Sequence, residues 1–168
     1  MGELNNPDSG PDAVSRPRMP ASYGIRDARE GRGLLAWGHV IARMEAARNY
    51  WVITAGAEGR PHAAPVWGLW QGGAFYFSTD PESRKGRNLA ANPLVVIHLE
   101  SGDDAVILEG VAGRFDDAAR VPELDRAYFD KYGYHLLDNS VYRVQPSKAF
   151  AWFEADFPGS ATRWKAPA

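Results

Sequence analysis

The spacing of hydrophobic residues changes near residue 50. Before that point, apolar side chains recur at intervals of three and four, the spacing of one helical face: Leu34, Trp37, Val40, Ile41 and Met44. This pattern predicts an amphipathic helix over about 33–48 whose apolar face packs into the core. From Tyr50 onward, short runs rich in β-branched and aromatic residues are separated by Gly-containing turns, which is typical of strands joined by hairpins.

Six such runs predict the strands of the fold. They are "YWVIT", "PHAAPVWGLW", "AFYFST", "LVVIHLES", "AVILEGVAGRF" and "SVYRVQPSKAFAWFEA". The last run is either one strand or two strands separated by a kink at Pro146. Two more helices are predicted, in residues 80–93 and in "DDAARVPELDRAYFDKYGY". Strands linked by tight turns predict a mainly β fold, in which an antiparallel sheet curls into a barrel with short accessory helices.

The chain of 168 residues is long enough for one domain preceded by a tail. Residues 1–22 are rich in Pro, Gly, Ser, Asn and Asp and contain few large apolar side chains, so we expect a flexible N-terminal tail there. Residues 23–168 then form a single β-barrel domain.

The segment "DPESRKGRNLAANP", residues 80–93, has an unusual charge distribution for a helix. Asp80 is placed to cap the helix and Pro81 to be its first residue. Arg84, Lys85 and Arg87 then fall in the first two turns, where the helix dipole is already positive. These cations become favourable if an anion such as a phosphate group binds there. The alternative is a solvated charged surface.

Pro65 and Gly68 interrupt the second predicted strand. Proline within a sheet is normally confined to edge strands and bulges, because it has no N–H to donate. The backbone groups of residues 63–67 therefore need a partner other than a central sheet. Either this is a plain edge strand, or a heterocyclic ligand binds to these backbone donors and acceptors.

Composition and charge argue against several classes of function. A net charge of −2 argues against nucleic acid or an anionic membrane as the main partner. The chain has no cysteine, and its four histidines show no metal-ligand spacing, so we expect no metal site. Among the histidines, His62 precedes the interrupted strand and is a candidate to face a site. Neither a membrane span of ~20 apolar residues nor a signal peptide is recognised, so we expect a soluble cytoplasmic protein.

The run "FSTDPESRK", residues 77–85, resembles the Phe-Tyr-Thr…Ser-Arg-Lys signature with which pyridoxamine 5′-phosphate oxidases bind the phosphate of FMN. The wider sequence, from "YWVIT" to "TRW", is similar to bacterial split-barrel oxidoreductases that bind FMN or a deazaflavin. The resemblance covers most of residues 33–164. It implies a six-stranded antiparallel split barrel and a homodimer with two cofactor sites at the subunit interface. It also implies an oxidoreductase that uses FMN or the deazaflavin coenzyme F-420 for hydride transfer to or from a small organic substrate.

The same resemblance implies two groups of cofactor-binding residues. The phosphate contacts carry over to Ser78 or Thr79, Ser83, Arg84 and Lys85. Arg87 takes the place of a frequently basic residue in the deazaflavin-binding relatives. The ring contacts carry over mainly to the backbone of the second strand, at Ala64, Pro65, Val66 and Trp67. No catalytic residue is assigned.

The chain also departs from the true pyridoxamine-phosphate oxidases. "HAAPVWGLW" stands in place of their Arg-x-x-Leu-Leu-Lys strand, and "SATRWKA" stands in place of their C-terminal Arg-x-His pattern. A vitamin B6 phosphate is therefore not expected as the substrate. The alternative to an enzyme is a non-catalytic FMN- or deazaflavin-binding or carrier protein.

Tryptophans and N-terminal arginines give two further expectations. Three tryptophans are candidates for walls that stack against a planar ligand: Trp67, Trp152 and Trp164. The core or a dimer interface is expected to hold Trp37, Trp51 and Trp70. A basic groove that would favour the acidic tail of the deazaflavin has four candidate arginines: Arg16, Arg18, Arg26 and Arg29.

Overall fold

The computed structural model describes residues 13–25, 32–136 and 140–166. Within these ranges the chain forms nine strands: β1 (Ala13–Ser15), β2 (Tyr50–Ala55), β3 (Pro61–Val66), β4 (Gly68–Gln71), β5 (Ala74–Ser78), β6 (Leu94–His98), β7 (Asp104–Arg114), β8 (Val141–Phe153) and β9 (Thr162–Lys165). Four α-helices accompany them: α1 (Trp37–Ala46), α2 (Arg84–Ala91), α3 (Val121–Tyr132) and α4 (Phe157–Ser160). The predicted mainly β fold with accessory helices is confirmed.

The antiparallel pairings carry the sheet around a split barrel. Starting from β3, the hydrogen-bonded order is β3, β2, β6, β7, β8, β5 and β4. The first and last strands of this path follow each other in the chain, but they are not paired with each other. The barrel is therefore open at the point where the chain passes from β3 to β4. The second predicted strand corresponds to both of these strands, since it is divided at Trp67.

Side chains of the barrel strands and of α1 form the core. Tyr50, Phe75 and Phe77 are fully buried, and a fully buried side chain of this size stabilises the fold by roughly 1.5–3 kcal/mol. The predicted amphipathic helix is α1, which is shorter than expected at both ends. It buries Val40 and Met44 and packs against β4 and β7.

Part of the N-terminal segment that composition predicts to be a flexible tail belongs to the sheet. Residues 1–12 lie outside the described residues, but β1 pairs with β9, and Val14 lies opposite Trp164. Backbone pairing of this kind leaves little trace in a run of only three residues, because the bonds come from the main chain. Residues 13–15 therefore form an added edge of the sheet instead of a flexible tail.

Arg16 does not contribute to a basic groove. Its guanidinium is buried and donates to the carbonyl oxygens of Gly159 at 2.9 Å and Arg32 at 2.6 Å. The expectation of a basic groove is therefore wrong for this residue, because a buried guanidinium must satisfy its donors within the protein. Arg18 is exposed, whereas Arg26 and Arg29 lie outside the described residues.

β8 is one continuous strand across Pro146, and not two strands. Pro146 lies opposite Gly110 of β7, and the register between β7 and β8 shifts between Glu109 and Gly110. A bulge of this kind accommodates a proline within a long strand. A Cβ at Gly110 would lie 2.4 Å from the carbonyl oxygen of Gln145, so the close approach of the two strands requires glycine.

Within the part of the chain that the structure describes, no helix is long and apolar enough to span a bilayer.

Candidate functional site

Helix α2 begins later than the sequence predicts. Ser83, and not Asp80, is the N-cap residue, and its hydroxyl oxygen accepts a hydrogen bond from the backbone N–H of Gly86 at 3.0 Å. The Asp80 carboxylate instead accepts from the amide two residues further on, at 2.7 Å, and so closes the preceding turn. The shift makes Arg84 and Lys85 the first two residues of the helix. Their backbone N–H groups are among those that a helix cannot satisfy internally.

Gly86 is required by the loop that precedes the helix. A Cβ at this position would lie 2.4 Å from the carbonyl oxygen of Asp80 and 2.5 Å from that of Pro81. The loop therefore folds directly onto the first turn of α2. The space beside Gly86 is filled by the protein's own backbone and is not available to a ligand.

A cluster of hydroxyl groups lies beside the start of α2. The hydroxyls of Thr79 and Ser83 are 3.1 Å apart, and those of Ser78 and Ser140 are 3.2 Å apart. The backbone N–H of Thr79 also donates to the carbonyl oxygen of Ser140 at 3.0 Å. The end of β5, the cap of α2 and the start of β8 therefore present their hydroxyls together. Ser140 was not predicted, because the sequence around it carries no signal beyond the start of a strand.

Two cations stand at this cluster without an acidic partner. Arg84 is exposed and Lys85 is half-buried, and within the described ranges neither side chain forms a hydrogen bond or an ion pair. Burial lowers the pKa of the Lys85 ammonium, which shows the cost of holding this charge away from water. Arg87 differs, because its guanidinium donates to the carbonyl oxygen of Glu82. The predicted phosphate residues are thus brought together, with Arg87 directed to the loop.

His62 of β3 lies close to these cations. Its cross-strand partner is Thr54 of β2, whose hydroxyl oxygen accepts from the Asn88 side chain of α2 at 3.0 Å. Desolvation, followed by the charges of Arg84 and Lys85, lowers the pKa of the His62 imidazole. The buried Nδ1 of this ring has no hydrogen-bond partner among the described residues. The first turn of α2 and the start of β3 therefore share one electropositive corner.

β3 is an edge strand with few backbone N–H donors on its open side. It pairs with β2 on one side and with no described strand on the other. Pro61, Ala63 and Pro65 alternate along it and so share one backbone orientation. Proline is tolerated in an edge strand where its nitrogen faces away from the neighbouring strand, which assigns these residues to the open edge. That edge then offers three carbonyl oxygens and the single N–H of Ala63.

The break between β3 and β4 is stabilised by Tyr132. Its hydroxyl accepts from the N–H of Gly68 at 3.1 Å and lies 2.8 Å from the carbonyl oxygens of Gly68 and Arg48. Trp67, at the break itself, stacks on the Tyr132 ring with the ring centres 4.9 Å apart. The strand is therefore interrupted at Trp67, and the polar groups released there bond within the protein. The prediction that the backbone groups of residues 63–67 lack a sheet partner is wrong for residues 63–66 on one side, where they pair with β2.

A small cavity lies at the end of the open edge. It has a volume of about 280 Å³ and is lined by Asn49, Pro65, Val66 and Trp67. The guanidinium of Arg48 lies 5.4 Å from the centre of the Trp67 ring. From His62 to Trp67 the strand spans about 16 Å at ~3.3 Å per residue. The edge is thus bounded by the electropositive corner at one end and by an aromatic ring at the other.

The three candidate stacking tryptophans have different positions. Trp164 is fully buried, 5.6 Å from the ring centre of Trp37, so its predicted role as a ligand wall is wrong. Trp152 is half-buried and packs edge-on against Phe157 at 5.6 Å. Trp67 is the member of the three that lies at the open edge. Because β9 brings Trp164 into the core through strand pairing, composition alone could not separate these roles.

A larger cavity of about 860 Å³ lies elsewhere, between the end of β7 and α3. Asp125 and His135 line it and are joined by a 2.7 Å contact between a carboxylate oxygen and the ring Nδ1. The carboxylate also accepts from the backbone N–H of Leu136 at 2.7 Å, and this bond is the main reason why the pKa of Asp125 is lowered. Asp125 and His135 thus satisfy each other, unlike the cations of α2.

Residues 39–157 match the sequence model of the family described as "Pyridoxamine 5′-phosphate oxidase", and the chain belongs to this family. The resemblance predicted from the sequence is thereby confirmed. No match to the chain was found among curated proteins.

Solved structures with the same fold carry different descriptions. HutZ, the heme storage protein from Vibrio cholerae, is 18% identical with a TM-score of 0.60, covering 71% of this chain and 96% of that chain. A structure described as an F420 reductase is 19% identical with a TM-score of 0.52, covering 64% and 93%. A putative pyridoxamine 5′-phosphate oxidase from Listeria innocua is 17% identical with a TM-score of 0.58, covering 68% and 95%. At these identities the likeness concerns the fold.

Proposed function

We propose that the protein is an oxidoreductase that binds a flavin-type cofactor, FMN or the deazaflavin coenzyme F-420. The observation that carries the proposal is the pair of cations at the start of α2, which have no acidic partner among the described residues. A half-buried ammonium is costly without a counter-charge, and Lys85 is in this position. Such a cofactor, when bound, supplies hydride transfer to or from a small organic substrate.

The phosphate group of the cofactor is proposed to bind at the electropositive corner. A phosphate monoester carries about −1.5 to −2 charges at pH 7 and has three strong acceptor oxygens. Arg84 and Lys85 provide the charge, while the Ser78 and Thr79 hydroxyls and the open N–H groups of the first turn provide further donors. Ser83 fixes the turn by capping it, so its removal affects both the helix and the site.

The ring system is proposed to lie along the open edge of β3. The outward backbone groups of this edge are those of Pro61, Ala63 and Pro65, and Ala64, Pro65 and Val66 follow His62 towards Trp67. Carbonyl oxygens dominate there, so they suit a heterocycle that presents N–H groups, and the N–H of Ala63 suits one ring carbonyl. Substrate binding is proposed beside Trp67, where Arg48 adds a positive charge.

A homodimer with the cofactor sites at its interface is part of this proposal. Leu94 of β6 and Val111 of β7 are cross-strand partners, and both are exposed. An apolar pair on the outer face of a barrel is suited to contact with a second copy of the chain. Light scattering on the purified protein should give the mass of a dimer, and a monomer would contradict this part of the proposal.

Visible absorption tests the cofactor directly. The cofactor-free protein is titrated with FMN, with F-420 and, as a control without the phosphate, with riboflavin. Micromolar or tighter binding of FMN or F-420, and weaker binding of riboflavin, is expected. Because a heme storage protein has the same fold, heme is a necessary fourth ligand. Binding of heme alone, or of none of the four, would overturn the proposal.

Turnover separates the enzyme from a non-catalytic binding or carrier protein. The complex of the protein with the reduced cofactor is mixed with quinones, nitroaromatic compounds or enones, and reoxidation of the cofactor is followed by its absorbance. We expect at least one of these classes of compound to reoxidise the bound cofactor faster than it reoxidises the free reduced cofactor. Tight binding with no acceleration by any of them would favour the carrier function.

A further inference from the structure

His62 is a titratable side chain beside the proposed phosphate site that the proposed chemistry does not use. It lies on the open strand β3, opposite Thr54 in the ladder. Asn88 of α2 donates to the Thr54 hydroxyl and so holds the helix over this point of the sheet. On a helix, residues three and four positions apart share a face, so Arg84 and Lys85 lie on the same side as Asn88. The helix anchor therefore directs the two cations towards His62.

The groups around His62 are neutral or positive. From α2 the charged groups are Arg84 and Lys85, and from β2 the facing residue is the neutral Thr54. The imidazole is partly removed from water, and its buried Nδ1 lacks a partner within the described ranges. Desolvation and the two cations together lower the pKa of His62 from 6.5. In the cofactor-free protein the ring is therefore mainly neutral at pH 7.

We propose that His62 takes up a proton when the phosphate group binds, and that it then acts as a third cationic donor to this group. The inference rests on the proposed function, since it assigns a role at the same site. A bound phosphate adds negative charge at the point where the two cations now repel a proton from the ring. A protonated imidazole donates from both of its ring nitrogens.

The direction in which the pKa of His62 changes on binding determines how the cofactor affinity depends on pH. The pKa of His62 lies below 6.5 in the free protein and is raised by the bound anion. Between these two values the complex holds one proton more than the free protein. The affinity for the phosphate-bearing cofactor therefore rises as the pH falls through this window, by at most about tenfold per pH unit for one proton.

The test compares the wild type with His62→Gln in titrations with FMN between pH 5.5 and 8.5. The FMN phosphate itself titrates near pH 6, but it does so equally for both proteins. The informative quantity is therefore the ratio of the two affinities. We expect the wild type to bind FMN about tenfold more tightly than His62→Gln at the acid end, and the ratio to approach one at pH 8.5. Riboflavin, which has no phosphate, should give a constant ratio near one.

A histidine outside the site provides the matched control. His98 lies on β6, stacks on Trp51 and has its Nδ1 2.7 Å from the carbonyl oxygen of Leu99. His98→Gln should leave the wild-type pH dependence unchanged. Calorimetry in buffers of different ionisation enthalpy should show proton uptake by the wild type that His62→Gln lacks. Histidine NMR should show the pKa of His62 rising when FMN is added.

The outcomes separate this inference from the proposed function. If FMN and F-420 both fail to bind, the proposed function fails and this inference fails with it. If FMN binds and the affinity ratio of wild type to His62→Gln does not vary with pH, the proposed function stands and the proton uptake is refuted. An unchanged pKa of His62 on FMN binding would likewise refute the proton uptake and leave the proposed function in place.

Discussion

Lys85→Met tests whether the cation at the second position of α2 is held for a phosphate group. Methionine keeps the unbranched apolar stem of lysine but removes the ammonium. A hydrogen bond to a charged group is worth about 1.5–3 kcal/mol, and partial exposure places Lys85 at the low end of this range. We therefore expect FMN to bind about ten- to thirtyfold more weakly, since 1.4 kcal/mol corresponds to a factor of ten.

The stability of the cofactor-free protein should respond differently from the affinity. The ammonium of Lys85 has no acceptor among the described residues, so its removal should change the free energy of unfolding by no more than about 0.5 kcal/mol. Fluorescence titration and urea unfolding measure the two quantities. Riboflavin should bind Lys85→Met and the wild type equally.

A surface lysine serves as the control for this experiment. Lys148 of β8 lies 2.7 Å from a carboxylate oxygen of Glu109 of β7 in an exposed ion pair. Lys148→Met should leave the affinities for FMN and riboflavin unchanged. Equal weakening of FMN and riboflavin by Lys85→Met, or no weakening of either, would refute a contact between this residue and the phosphate.

Three further substitutions test the framework of the site. Gly68→Ala should destabilise the protein by about 1–3 kcal/mol in thermal unfolding, because the new Cβ would lie 2.3 Å from a ring carbon of Phe75. Gly102→Ala, which has open space around its Cβ, should not destabilise it. Ser83→Asp should retain the helix cap and the stability within about 0.5 kcal/mol, but should weaken FMN binding by at least about tenfold through charge repulsion. Arg16→Met should cost about 3 kcal/mol in urea unfolding because buried carbonyl oxygens lose a charged donor, whereas Arg18→Ala at an exposed position should be almost neutral. A stable Gly68→Ala, a Ser83→Asp with full affinity, or a neutral Arg16→Met would each contradict the corresponding contact.

The sequence predicted the barrel because its strands are local patterns. The change from helical to alternating spacing near Tyr50 identified the first barrel strand and the helix before it. The grouping of Ser83, Arg84 and Lys85 was also predictable, since these residues are neighbours in the chain. Their assignment to a cofactor remains a prediction.

Features that depend on distant contacts could not be predicted. The hydroxyl of Ser140 joins the cluster only because β8 pairs with β5. Arg16 is buried through carbonyl groups more than 140 residues away in the chain. Asp80 is a good cap in isolation, but the loop that follows it folds back on the helix and leaves capping to Ser83. In the first two cases the main chain of a remote segment decides the outcome, and in the third the fold of the adjoining loop does.

The structural role of Gly86 predicts how this position should vary among related sequences. Because its missing side chain makes room for the carbonyl oxygens of Asp80 and Pro81, the glycine serves the fold and not the ligand. A descendant that had lost its cofactor would still need this glycine, whereas Arg84 and Lys85 would be free to change. Related sequences that keep the glycine but replace both cations should therefore belong to split barrels that no longer bind a phosphate group.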